Sequence, residues 1–492
     1  MNIHQTVIFS QLLPKNANDG AVFHGKLRLF REGVFMIVSV SISNFRSFFT
    51  EETFSLAASN RLSGTHDDHA MEIPNSDQKV LKVGVVYGAN GAGKSNLFKA
   101  FRYIKSIALG RRERDRGTAR TPFRLGGSDE EPSSFDLQFI AASTLYRFGF
   151  KVDDSRITEE WLAEIVNGRE RTLYERITTQ DGQVTVSAPG LKGIGQKLNA
   201  LTTVGGPPNQ SFLATVNLTL NKTDYGEDLG RVLKWFKKDL QLIGPDVPFG
   251  RLGQYLAENP ECREFAGSFL KSVSTGVDHL QISKKELTED ELRSLLPERV
   301  ASQMLKGASE DPEGRSFMHL ADGSELLIER GGENHFHRIS VRAAHEGQGG
   351  TMVPFELSDE SDGTRRLLNL MPALHRLHTD ATVFFIDEID RSLHPNLVWE
   401  FIHYFLKSSN RTRAQVIVTT HESSLLDLEL LRRDEIWFAE KDSMSATRLY
   451  GLTDFNVRKD LEIRKHYLSG RFGAVPFLGD VERLLADEAH TA

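Results

Sequence analysis

Hydrophobic and polar positions follow no sustained period over the first 35 residues. Val38, Val40 and Ile42 then alternate with Ser39, Ser41 and Ser43, the two-residue repeat of a strand with one buried face. That change places the start of the folded chain near Met36 and makes residues 1–35 an N-terminal extension, expected to be disordered. A second apolar run, Val83, Gly84, Val85, Val86 and Tyr87, ends at a glycine-rich turn. Beyond the turn, Leu97, Phe101, Ile104 and Ala108 recur at helical spacing. The stretch FDLQFIAASTLYRFGFKV (135–152) predicts two paired strands around a small-residue turn.

From about residue 155 the texture changes. Asn259 followed by Pro260 predicts an N-cap and a first helical turn, with Phe265, Phe269 and Val273 on one face. Thr288 and Glu291 fit a capping box, and Leu287 with Leu292 a hydrophobic staple. Residues 161–345 are thus expected to be a mostly helical insertion, with some strand at SELLIERGG (324–332) and HRISVRAA (337–344). An α/β texture returns near residue 352. Val383, Phe384, Phe385 and Ile386 predict a strand ending in acids. Pro395 opens a helix bearing Leu397, Phe401 and Phe405, and Val416 to Val418 predicts another strand. A hairpin, EIWFAEKD (435–442) and TRLYGL (447–452), closes the pattern. The layout is an N-terminal lobe over 36–160, the insertion over 161–345, a C-terminal lobe over 346–480 and a tail over 481–492.

Bulk properties narrow the field. At 492 residues the chain has room for two or three domains. Its single cysteine, Cys262, excludes an intrachain disulfide and a Cys-rich metal site, and fits a reducing compartment. No apolar run of 18 residues predicts a membrane span, and the first residues lack a secretory signal, so a cytoplasmic location is expected. A net charge of −7, from 60 basic and 67 acidic residues, is not that of a protein that coats nucleic acid. One local exception is GRRERDRGTARTPFR (110–124), with six arginines against two acids. It reads as a solvated loop or as a basic face for DNA.

Gly88, Ala89, Asn90, Gly91, Ala92, Gly93, Lys94 and Ser95 form a full G-x-x-x-x-G-K-[ST] match between a predicted strand and a predicted helix. The glycines let successive backbone N–H groups turn toward phosphates, and the helix N-terminus faces the same anion. Lys94 is expected to reach the β- and γ-phosphates and Ser95 to ligate Mg2+. The strand 383–386 ends in Asp387 and Glu388. Asp387 is the second candidate for Mg2+, and Glu388 is placed to orient and polarise an attacking water. Ser361 and Gly363, in LSDESDGTRR (357–366), offer a second phosphate cradle at a helix N-terminus; the alternative is a cap serving only its own helix. Pro372 within the following helical pattern predicts a kink or a late start. His421 ends the strand after the acid pair, where it can meet a γ-phosphate. Residues 390–394 (DRSLH) are placed to touch another subunit.

This order of motifs resembles the ABC ATPases of the SMC, RecF and OLD kind. It is more similar still to AAA-type ATPases of bacterial abortive-infection and phage-defence systems. The residues that carry the likeness are NFRSF (44–48), ESDGTRRLLNLMPAL (360–374), FFIDEIDRSLHP (384–395), TTHESSLLDLELLRRDEIWFAEKD (419–442) and GRFGAVPFLGD (470–480). The resemblance implies an α/β P-loop ATPase head of ABC type that uses ATP and Mg2+. It also implies a head-to-tail homodimer, with higher oligomers left open, in which Ser361 and Gly363 of one copy cap ATP on the other copy's P-loop. Such ATPases often gate a nuclease or toxin. Too few residues follow residue 442 for a fused Toprim nuclease, so any effector is expected to be a separate polypeptide or to be absent. Asp362 and Thr364 depart from the transporter signature, and no Q-loop glutamine stands out, Gln138 included; both weigh against a membrane transporter. Two rival functions stay open here, a DNA-end clamp of the RecF type and an ATP-bound scaffold that does not turn over.

Overall fold

The computed structural model describes residues 33–73, 76–110, 117–127, 130–191, 195–245, 252–310, 315–320, 323–330, 334–376, 382–408, 413–457 and 462–475. The expected N-terminal extension up to residue 32, Arg111 to Arg116 of the basic segment, and the tail 481–492 lie outside them. The chain divides into two units, one of Gly33–Leu242, Ala381–Asp390 and the chain from Arg413, the other of Ile243–Asp380 and Arg391–Thr412. Each is described by itself.

In the first unit the serine alternation forms β1 (Met36–Ser43), whose apolar positions are buried. β1 pairs antiparallel with Glu52–Ser55 on one side and Ser133–Ala141 on the other. The sheet continues outward through Thr144–Val152, Ile157–Val166, Arg169–Thr178 and Val184–Ser187, seven strands in all. Ala142 and Ser143, both at positive φ, make the small-residue turn expected within 135–152. The boundary expected at residue 160 needs correction. It falls inside the strand Ile157–Val166, and the sheet runs past it. Buried charges in ITEEWLAEIV and RERTLYERIT conceal the two-residue repeat: Glu160 and Arg176 lie inside with Leu162, Leu173 and Tyr174, while Ile177 is exposed.

A six-stranded sheet carries the motifs. Its order is Leu240–Ile243, β3 (Val383–Ile386), β4 (Gln415–Thr420), β2 (Val83–Tyr87), β5 (Ile436–Lys441) and β6 (Thr447–Gly451). β3, β4, β2 and β5 are parallel neighbours, and β6 returns antiparallel along β5 as the expected hairpin. Helix α1 (Lys94–Leu109) buries Leu97, Phe101, Ile104 and Ala108, as their spacing predicts. Phe98 and Phe101 meet Phe385 of β3 edge-on, with ring centroids 5.4 and 5.2 Å apart. Buried side chains join the two sheets, Glu52 by accepting from the Leu449 N–H (2.8 Å) and Gln415 most extensively. Gln415 accepts from the Ile37 N–H (2.7 Å) and donates to the carbonyls of Ile37 (3.0 Å) and Leu81 (2.8 Å).

The second unit is built on an antiparallel sheet. Val277–Leu287 pairs with Asn334–Glu346, which also receives Glu325–Arg330 and Met352–Glu356; Arg315–His319 lies outermost on Glu325–Arg330. The helix Pro260–Ser272 starts as expected, but Asn259 does not cap it; its amide donates to the Tyr255 carbonyl (2.8 Å). Thr288 and Glu291 do form a reciprocal capping box, and Leu287 and Leu292 share one apolar cluster with Phe336. The span 161–345 therefore holds more strand than its texture predicts, because VDHLQISKKEL hides its alternation under polar outward residues. Helix α2 (Asp362–Arg376) begins at its expected place and runs on through the buried Pro372, without a late start.

Candidate nucleotide site

β2 delivers the chain to the glycine-rich turn. Gly91 and Gly93 take positive φ (80° and 111°), which a side chain resists. A Cβ on Gly93 would also collide with Thr447 of β6, and one on Gly88 with the Ala439 carbonyl of β5. The turn is braced from behind. The Thr447 hydroxyl donates to the Ala92 carbonyl (2.8 Å) and accepts from the Ser47 hydroxyl (2.7 Å), and Asn96 of α1 donates to the same Ser47 (2.7 Å). NFRSF is thereby tied to the P-loop. Thr447 carries no motif signal, and only the fold brings it here.

Asn90 and Gly91 are exposed at the tip of the turn, whereas Lys94 is buried. The Lys94 ammonium donates to the Gly88 (2.6 Å) and Ala89 (3.1 Å) carbonyls. Burial lowers its pKa, while Asp390, Glu388 and Asp387 oppose the shift. The acid strand supplies the opposite charge. Asp387 is 2% exposed; burial raises its pKa, and hydrogen bonds from Thr419 and Ser95 pull it back. Ser95 and Asp387, the two expected Mg2+ ligands, are thus in contact. A hydroxyl and a carboxylate are hard oxygen donors that suit Mg2+ once phosphates and water complete its shell. The residues fit the ion.

Thr419 was not anticipated. Its hydroxyl donates to Asp387 (2.6 Å) and accepts from the Glu388 N–H (2.8 Å). One side chain on β4 thereby sets both acids at the end of β3. Glu388 sits at φ 48°, a conformation costly for any residue but glycine. His421 follows β4 with its ring exposed, and Nδ1 lies 2.9 Å from the buried Asp390 carboxylate. This corrects part of the expectation for 390–394. Asp390 faces inward and serves its own chain, whereas Arg391, Ser392 and His394 are exposed.

The signature residues lie in the second unit. The Ser361 hydroxyl accepts from the Thr364 N–H (3.1 Å) and bonds the Thr364 hydroxyl (2.9 Å), so it does cap its own helix. Gly363 stands against the Ser392 carbonyl, 2.9 Å from where a Cβ would lie. Beside them a cavity of about 300 Å3 is lined by Asp362, Arg365, Arg366, Asn369, Arg391 and Ser392, a cationic surface. In the basic segment, Arg120 pairs with Asp154 (2.5 Å) and donates to the Glu131 carbonyl. Gln138 lies mid-strand opposite Ser39 and Arg147. Among the described residues no helix is long and apolar enough to cross a membrane.

The sequence model of a family described as "AAA domain, putative AbiEii toxin, Type IV TA system" matches residues 84–427. No curated protein sequence matches the chain. Similar solved structures include the SmcHead bound to the C-winged helix domain of ScpA, at 13% identity and a TM-score of 0.33 over 84% of this chain and 97% of that one. Another is the SMC head domain from Thermotoga maritima, at 14% identity and a TM-score of 0.32 over 84% and 98%. A third is the Smc head domain with an extended coiled coil, bound to the C-terminal domain of ScpA from Pyrococcus furiosus, at 12% identity and a TM-score of 0.32 over 85% and 96%.

Proposed function

Because this chain belongs to that family of AAA domains, as a P-loop ATPase of the ABC type, we propose that it hydrolyses ATP at a site completed by a second copy. We propose further that it serves as the sensor or gate subunit of an abortive-infection defence system with a separate effector, a nuclease or a toxin. The observation that carries the ATPase reading is the Ser95, Asp387, Thr419 and Glu388 arrangement behind a braced P-loop. The family description, with its toxin and toxin–antitoxin terms, supports the defence role.

The chain's own groups divide the work. Lys94 exchanges two backbone carbonyls for phosphate oxygens. Bound Mg2+ would supply charge neutralisation across the β- and γ-phosphates. Glu388, fixed by Thr419 through its backbone, orients water in line with the γ-phosphate and takes its proton. His421, steadied by Asp390, faces the same phosphate. Ser361 and the first N–H groups of α2 present helix-terminal donors to the partner's nucleotide. The guanidiniums of Arg365 and Arg391 beside them favour the same anion.

Mixing two inactive variants tests the shared site. Lys94→Ala and Ser361→Arg are each expected to hydrolyse no ATP alone. In a mixed pair one composite site keeps both an intact P-loop and an intact Ser361, so turnover returns to a large fraction of one wild-type site. No recovery on mixing, with dimers present, would exclude a site built from two copies.

A further inference from the structure

Tyr87 has no role in the scheme above, yet it occupies a guarded position. It is the last residue of β2, directly before Gly88, and its side chain is fully buried. Its ring packs on Phe438 and Tyr467, with centroids 6.1 Å away in each case. A phenylalanine would satisfy that packing. The hydroxyl has no hydrogen-bond partner among the described residues, and burying an unpaired hydroxyl is unfavourable.

An acceptor in the same state borders the same strand end. Asp390 uses Oδ2 for both the ring and the backbone N–H of His421, at 2.9 and 3.3 Å. Its Oδ1 is buried and has no partner among the described residues. The two groups approach through the sheet. Tyr87 stands in register with Thr420 of β4, and His421 is the next residue. Burial first, then the neighbouring Tyr467, Asp390, Glu422 and Asp427, raise the Tyr87 pKa well above its usual 10, so the group stays a donor.

We propose that Tyr87 is a positioning residue for hydrolysis, whose hydroxyl donates to Asp390 Oδ1, directly or through one water. With both oxygens held, the Asp390 carboxylate cannot rotate. The His421 ring then keeps Nδ1–H on Asp390 and presents Nε2 outward. The chain Tyr87, Asp390, His421 would link the strand that begins the P-loop to the residue that meets the γ-phosphate. The inference rests on that reading of His421.

The test is a set of steady-state ATPase measurements on Tyr87→Phe, Asp390→Asn, His421→Ala and the double variants. Tyr87→Phe is expected to lower kcat about tenfold, to leave KM for ATP within about twofold, and to keep or raise the thermal midpoint. Asp390→Asn should show a loss of the same size. Tyr87→Phe with His421→Ala should be no slower than His421→Ala alone. Wild-type turnover in Tyr87→Phe, with His421→Ala impaired, overturns the relay and leaves the histidine reading standing. Wild-type turnover in His421→Ala removes the histidine reading and the relay with it. Losses that add in the double variant, or a Tyr87→Phe protein that melts early or binds ATP poorly, make the hydroxyl structural and also overturn the proposal.

Discussion

The two units treat the residues proposed to face phosphate in opposite ways. In the first, Lys94, Asp387 and Glu388 are set in place by groups from three segments, namely the P-loop with its carbonyls and Ser95, Thr419 of β4, and the NFRSF brace. In the second, Ser361 is exposed, and its hydroxyl does no more than cap the helix it begins. A preorganised site binds without reordering its own side chains. A cap residue at the surface can accept a new partner at small cost. Under the proposed function, binding belongs to the preorganised unit, and the other supplies a contact that matters only when nucleotide is brought to it.

The comparison breaks first at Lys94. Lys94→Ala is expected to lower ATP affinity by at least about 100-fold, read by calorimetry, because the ammonium supplies the charge that the backbone cradle lacks. Undiminished affinity would mean that the first unit is not the binding unit. Glu388→Gln comes next. It should retain ATP and lower turnover by roughly 100- to 1,000-fold, with an ATP-dependent dimer visible by light scattering. A fast Glu388→Gln enzyme would move the base elsewhere.

Thr447→Val sharpens the comparison more gently. It deletes hydrogen bonds to Ala92 and Ser47 and is expected to cost about 1–2 kcal/mol of stability, with ATP affinity down several-fold. Unchanged affinity would show that the turn holds its shape without the brace. The smallest effect tests the first unit's burial of charge. Burial lowers the Lys105 pKa from 10.5 to about 8, with Asp239 opposing, and its ammonium donates to the Leu240 carbonyl (2.7 Å). A lysine whose folded pKa is depressed is a stability cost below that pKa, relieved as pH rises toward the unfolded value. Lys105→Met should therefore gain on the wild type at pH 7, by about 1 kcal/mol, and lose that advantage between about pH 8 and pH 10 in thermal scans. A pH-independent difference would contradict a charged, buried Lys105.

The same contrast governs how much could be read in advance. The P-loop and the acid pair are contiguous motifs whose chemistry dictates residue type and spacing, so Gly88 to Ser95, Asp387 and Glu388 stand out in one dimension. Thr419, Thr447 and Ser47 do not. Each is an ordinary hydroxyl whose value depends on a neighbour 31 or more residues away, which only strand order supplies. Helices with apolar spacing, such as α1, were legible, as was the capping box at Thr288. Strands that bury a charge and expose an apolar side chain, such as Arg169–Thr178 with Arg176 inside and Ile177 outside, were not, and the sheet runs past the boundary expected at residue 160 for that reason.

Gln415 has a consequence for dissection. A side chain that acts as both rungs of a missing ladder makes the first strand inseparable from the nucleotide-binding sheet. A truncated fragment beginning after β1 would strand a buried amide in an apolar interior. Recombinant pieces of this ATPase should therefore be cut before Met36, where a hydrophobic substitute at Gln415 would not rescue a cut made later.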